Sequence, residues 1–131
     1  GYACGIVDLT RGEMGTRGTA ETRAEEARAA SRLLGLAARG NLGLPDAFFE
    51  NNPANQRALI GAIRRYRPRL VLANAPADRH PDHGRAAQLI RDACFYSGLR
   101  RVETADAHTG APQEPWRPAG LWHFIQDQYL E

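Results

Sequence analysis

Two histidines three residues apart, His80 and His83, flank Asp82 in the stretch Asp78-Arg79-His80-Pro81-Asp82-His83. A neutral imidazole is the commonest zinc ligand and also the side chain best placed to give or take a proton near neutral pH. A carboxylate beside an imidazole fixes its tautomer, which suits either a metal site or a general acid. A catalytic zinc takes three protein ligands and a water, and the remaining histidines do not complete that set. His108 falls in a polar stretch and His123 in a strand whose side chains alternate, so both read as surface or packed residues. On spacing alone a second arrangement stays open, in which Asp82 caps a helix and both imidazoles bond locally. A cysteine or serine nucleophile is disfavoured, because Ser31 and Ser97 lie at helix positions with no base beside them.

The elements around this stretch place it on a strand-to-helix turn. Leu70 to Asn74 is an apolar run that reads as a buried strand, and Gly84 to Ser97 has helical spacing, with Ala86, Leu89, Ile90, Ala93 and Cys94 on its inner face. Pro81 or Asp82 could begin that helix, with His80 at or just before its cap. Upstream, Tyr2 to Thr10 reads as an interior strand buried on both faces, and three glycines at Gly12, Gly15 and Gly18 let the following backbone approach a ligand. They do not make a dinucleotide fingerprint, since the G-x-G-x-x-G order is absent. Thr19 caps a helix to about Leu34, stopped by Gly35, with an inner face of Ala20, Ala24, Ala27, Ala30 and Leu34. Arg39 to Leu44 is a short strand. Asn52-Pro53 opens a helix carrying Leu59, Ile60, Ile63 and Tyr66, Arg101 to Pro118 is a polar surface excursion, and Leu121 to Ile125 is a last strand. The order βαβαβ with short connections predicts an α/β fold with a mostly parallel sheet flanked by helices. In such sheets ligands bind at the carboxyl ends of the strands, where the histidines lie.

A chain of 131 residues with 43% apolar content suits a single domain. No run approaches the roughly 18 apolar residues of a membrane span and no leader opens the chain, so a cytoplasmic location and no membrane partner are expected. Cys4 and Cys94 are too few for a disulfide framework and read as buried small apolar residues. All 17 basic residues are arginine, nearly balanced by 15 acidic ones. The densest basic stretch, Arg64 to Arg69, sits at a helix end where cations suit the helix dipole, so no nucleic-acid partner is expected.

Four blocks taken together resemble a known family. LTRGEMGTRGT (Leu9 to Thr19), AETRAEEA (Ala20 to Ala27), NLGLPD (Asn41 to Asp46) and DRHPDH (Asp78 to His83) are similar, in order and interval, to the LmbE-like or PIG-L zinc-dependent N-acetylglucosaminyl deacetylases, most of all the bacillithiol-biosynthesis branch. The resemblance implies a Rossmann-like fold, a Zn2+ cofactor and removal of an acetyl group from an N-acetylglucosamine conjugate, N-acetylglucosaminyl malate in this branch; a homo-oligomer is expected. By position it implies that His83 ligates zinc, that His80 stays off the metal and assists the tetrahedral transition state, that Asp82 orients His80, and that Arg23 contacts the substrate.

Family members begin with a strand ending in Ala-His-Pro-Asp-Asp, which supplies two further zinc ligands and the general base. Gly1-Tyr2 aligns with the start of the family's second strand, so the first strand and helix and the C-terminal portion of the family are expected to lie outside this chain. The 131 residues alone are then expected to bind zinc weakly and not to turn over substrate. The rival reading is a degenerate, non-catalytic domain of the same family acting in binding or assembly.

Overall fold

The computed structural model describes residues 1–125. Chain length suggests a single domain; the chain groups into two compact units, Gly1–Phe49 and Glu50–Glu131.

The first unit is a βαβ crossover: β1 (Gly5–Thr10), α1 (Ala20–Leu33) and β2 (Ala38–Leu44). The two strands pair in parallel, with Gly5 opposite Ala38 and Asp8 opposite Asn41, and a register shift brings Thr10 opposite Leu44. A parallel pair needs a crossover, and α1 supplies it. Thr19 caps that helix, its Oγ1 accepting the Thr22 N–H at 3.1 Å, and Gly35, at φ 61°, takes the left-handed conformation that ends it. Asp8 and Arg39 form a two-toothed pair, Nε to Oδ2 at 2.8 Å and Nη2 to Oδ1 at 3.2 Å, while Arg39 Nη1 donates to the Ala27 carbonyl at 3.0 Å. One guanidinium thus ties both strands to the helix.

Burial in this unit is lighter than the sequence pattern suggests. No residue of β1 is fully buried and α1 has none, with Ala27 and Ala30 half-buried while Ala20, Ala24 and Leu34 are exposed. Among the described residues β1 pairs only with β2, and a two-stranded sheet cannot shield both faces. Cys4 lies ahead of β1 and is exposed, unlike Cys94, whose thiol burial pushes up to about 11.

The second unit holds α2 (Pro53–Tyr66), β3 (Leu70–Asn74), α3 (Pro81–Tyr96) and β4 (Gly120–Phe124). Asn52 caps α2, with Oδ1 accepting the Asn55 N–H at 2.9 Å and Pro53 in the first turn. β3 and β4 pair in parallel from Leu70 opposite Gly120 to Asn74 opposite Phe124. α2 packs on α3, and α3 on β3. Leu59, Ile60, Ile63, Ala86, Ala87, Leu89, Ala93 and Cys94 are buried. Ile90 is half-buried and Tyr66 exposed. The strand expected to be buried is covered on one side only: Ala73 is 1% exposed, but Leu72 is 63% and Trp122 is 64%. Successive strand residues face opposite ways, and α3 shields the side bearing Ala73.

The basic stretch works inside the fold. Arg64 is buried, and its guanidinium donates to the carbonyls of Ser97, Leu99 and Val102 and to Thr104 Oγ1 at 2.6–3.0 Å. Arg65 grips Asp106 at 2.8 and 2.9 Å, and Arg67 lies 4.5 Å over the Trp116 ring. Four acceptors satisfy the buried cation and in return fix the chain from Ser97 to Thr104. No helix among the described residues is long and apolar enough to cross a membrane.

The excursion after Ser97 is organised by Asp106, whose Oδ1 accepts the N–H groups of His108 and Thr109 at 2.9 and 3.0 Å. The His108 N–H first, helped by Thr109 and the Arg65 charge, holds its carboxyl below the ordinary carboxylate range. A group whose pKa is depressed on folding stabilises above its unfolded value, about 3.9, and that contribution is lost as pH falls through the lowered folded value. Asp106→Asn is therefore expected to flatten the loss of stability below about pH 4 in urea titrations across acidic pH. Superimposable acid limbs for both proteins contradict this.

Candidate functional site

The histidine stretch follows β3 after the short link Ala75 to Ala77 and closes into the first turn of α3, with Pro81 early in the helix. The N-cap residue is His80 and not Asp82: His80 Nδ1 accepts the Asp82 N–H at 3.2 Å, a place more often filled by a Ser, Thr or Asn oxygen. The contact linking His80 to Asp82 therefore runs through the Asp82 backbone, whereas the Asp82 carboxylate pairs with Arg85 at 2.8 Å. This differs from the expected carboxylate–imidazole contact, because a helical Asp82 points its side chain along the helix surface toward the residue three positions on.

His80 and His83 stack, with ring centroids 4.9 Å apart and planes inclined by 26°. The residue that organises the turn is Asp78, which spacing did not single out. Its side chain is 2% exposed. Oδ1 accepts the His80 N–H at 2.8 Å, and Oδ2 faces His83 Nδ1 at 3.1 Å. Both atoms of the second contact are cut off from solvent and neither has a fully formed hydrogen bond, so each is the other's available partner. The His80 N–H first, then His83 and the Arg79 charge, hold the Asp78 carboxyl below the usual range. Gly84 lets the helix start this close to the strand, since a Cβ there would lie 3.1 Å from the Pro76 carbonyl oxygen. At the end of β4, His123 Nδ1 lies 2.6 Å from the Asn74 carbonyl oxygen, which accepts its proton.

These contacts set the chemistry available. A His80 ring that accepts at Nδ1 carries its proton on Nε2, and so offers a donor. A His83 ring that turns Nδ1 toward a carboxylate carries its proton there and offers an Nε2 lone pair. A carboxylate behind a histidine is the usual outer support of a zinc ligand. His83 with Asp78 fits one ligand of a zinc site; among the described residues no group of three His, Cys, Asp or Glu side chains could hold a metal.

Arg23 belongs to the first unit. Its Nη2 donates to the Arg17 carbonyl at 2.8 Å, and its guanidinium lies against Gly12 and Gly15, where a Cβ at Gly15 would overlap Nη2. The glycine spacing thus admits this side chain. Beside it, Asp46 accepts from Thr10 Oγ1 and the Met14 N–H while its own N–H donates to Glu13. The segments around Thr10 to Met14 and Leu44 to Asp46 are therefore one hydrogen-bonded assembly.

The capping role separates structure from chemistry at His80. His80→Ala is expected to lose about 1 kcal/mol of stability, whereas His80→Asn, which keeps a capping oxygen, is expected to stay near the parent midpoint in urea unfolding. Equal losses in both variants exclude the cap.

The model of the family described as PIG-L, GlcNAc-PI de-N-acetylase, matches residues 1–94. Diacetylchitobiose deacetylase of Thermococcus kodakarensis is 25% identical over 129 residues, which make up 96% of this chain and 48% of that protein. A conserved protein of Thermus thermophilus of known structure is 43% identical with a TM-score of 0.87, covering 100% of this chain and 56% of that one. The inhibitor complex of N,N'-diacetylchitobiose deacetylase from Pyrococcus horikoshii gives 0.75 at 26% identity, covering 94% and 48%. The 4-carboxy-2-hydroxymuconate hydratase GalB of Pseudomonas putida gives 0.66 at 26% identity, covering 85% and 51%. The chain spans about half the length of the relatives it matches.

Proposed function

The chain belongs to the PIG-L family of de-N-acetylases, and from that premise we propose that the whole protein is a zinc-dependent hydrolase that deacetylates an N-acetylglucosamine conjugate. The observation that carries this reading is the stacked pair His80 and His83, whose two contacts leave one donor and one acceptor nitrogen at the head of α3. The substrate we favour is N-acetylglucosaminyl malate of bacillithiol biosynthesis, which makes this a cytoplasmic enzyme. The block DRHPDH, together with NLGLPD, supports that branch. Similarity to two diacetylchitobiose deacetylases supports the coarser amino-sugar class.

Zinc, when bound, supplies an activated water near neutral pH and polarises the acetyl carbonyl. His83 would hold it through Nε2, with two further ligands and the general base on an Ala-His-Pro-Asp-Asp segment outside this chain. As water adds to the acetyl carbon, His80 Nε2–H donates to the carbonyl oxygen while it gains charge. The C–N bond then breaks, its electron pair goes to the amine nitrogen, and the proton that the general base took from the water passes to that nitrogen, while His80 keeps its Nε2–H directed at the oxygen. The N-terminus of α3 adds a favourable potential for the negative oxygen. Arg23 is the side chain we assign to substrate contact, held ready by its cradle in the glycine loop.

Zinc analysis and acetate release by the full-length gene product test this, with N-acetylglucosaminyl malate and diacetylchitobiose as alternative substrates. His83→Ala is expected to lose metal. His80→Asn is expected to keep metal and fold while kcat falls about 100- to 1,000-fold. Equal metal loss in both variants makes His80 a ligand as well. A zinc-loaded, folded full-length protein that releases no acetate from either substrate favours the non-catalytic reading instead. The 131-residue chain alone is expected to bind zinc weakly and to be inactive.

A further inference from the structure

Resting on the zinc reading of His83, we propose that Asp78 is a positioning residue that fixes His83 as its Nδ1–H tautomer and so presents the Nε2 lone pair to the metal. The two oxygens of Asp78 have different duties. Oδ1 is committed to the His80 N–H at 2.8 Å, a backbone donor that cannot become an acceptor. Oδ2 is left facing His83 Nδ1 at 3.1 Å in a position closed to water. A carboxylate only accepts, so the nitrogen turned to it must carry the proton. The Asp78 side chain is 2% exposed, so solvent does not compete for Oδ2, and the His80 ring stacks on that of His83.

The neighbouring ring is held in the opposite sense. The Asp82 N–H points at His80 Nδ1, so that nitrogen must be bare and Nε2 carries the proton. Two imidazoles three residues apart are thereby made chemically unlike without any difference in residue type: one is an acceptor toward the site, the other a donor. The division follows from one side-chain carboxylate and one backbone amide, both within the turn.

Asp78→Asn separates this role from mere packing, because the replacement is nearly isosteric yet carries one acceptor and one donor end. The His80 N–H claims the amide oxygen, so the amide NH2 is turned to His83 Nδ1, which must then accept. The substitution is therefore expected to invert the His83 tautomer to Nε2–H while leaving the His80 tautomer and the fold in place. The measurement is 15N-histidine NMR of the full-length, metal-free protein, in which protonated and bare ring nitrogens are distinguished, with zinc affinity measured by competition against a chromophoric chelator. Expected results are an Nδ1–H His83 in the parent, inversion in Asp78→Asn, and a zinc affinity lowered about 10- to 100-fold. Asp78→Ala, which offers neither group, is expected to give mixed tautomers at His83. An Nε2–H His83 in the parent overturns the proposal, as does Asp78→Asn that leaves either the tautomer or the zinc affinity unchanged. His83→Ala reports separately on the underlying reading: zinc affinity retained there sinks His83 as a ligand, whatever the tautomer data say of Asp78.

Discussion

The turn between β3 and α3 depends on one buried carboxylate. A carboxylate removed from water is costly unless its oxygens have polar partners, and those of Asp78 belong to the same turn: Oδ1 accepts the His80 N–H, and Oδ2 lies 3.1 Å from His83 Nδ1. Satisfying the charge and ordering the site are therefore one event. The first N–H groups of any helix need outside partners; here His80 and Asp78 supply them, so the residues with chemical potential also terminate the helix. Gly84 completes the arrangement by letting the new helix start within contact of the Pro76 carbonyl.

The first unit uses the same device at the end of its own strand. Thr10 closes β1, and the loop beyond it is fastened by Asp46, which takes hydrogen bonds from Thr10 Oγ1 and the Met14 N–H, while Glu13 returns one by accepting the Asp46 N–H. Reciprocal bonding of this kind fixes a loop that has little apolar burial to hold it, since Met14 is 58% exposed. Arg23 is then accommodated against Gly12 and Gly15, where any larger residue would meet its guanidinium. The fastened loop thus holds the Arg23 guanidinium in a defined place, with Nη2 on the Arg17 carbonyl.

Local signals in the sequence were legible where a single residue type answers a single backbone need. Thr19 and Asn52 cap the helices they were expected to cap, Gly35 ends α1, and β3 spans the expected Leu70–Asn74. Parallel pairing followed from the βαβ order. What could not be read is what depends on tertiary placement. β1 has the composition of a strand covered on both faces but has one strand partner among the described residues, so its side chains stay half-buried. Arg64 reads as one of a basic cluster placed at a helix end by the helix dipole, yet it takes the inner position of α2, where the carbonyls of Ser97, Leu99 and Val102 converge on it. Within the site, His80 and His83 were visible by type and spacing. Asp78 was not, because its partner lies five residues away across a turn whose dihedral angles no residue pattern specifies. The nearer Asp82 drew the role instead, although its carboxylate pairs with Arg85.

The likeness of this chain both to diacetylchitobiose deacetylases and to a hydratase limits what the fold can decide. One architecture carries amide hydrolysis in the first and hydration in the second, so the reaction has to be fixed by the groups at the strand ends. At the head of α3 those groups are two imidazoles distinguished by what stands behind them. In the proposed amide hydrolysis an acceptor would hold the metal and a donor would meet the oxyanion. Two like-oriented imidazoles would supply only one of these; the Asp78 carboxylate and the Asp82 amide, acting on opposite rings, supply both. The distinction rests on a side chain and a peptide group within five residues of each other. One short segment can thus present two imidazoles of opposite hydrogen-bonding character.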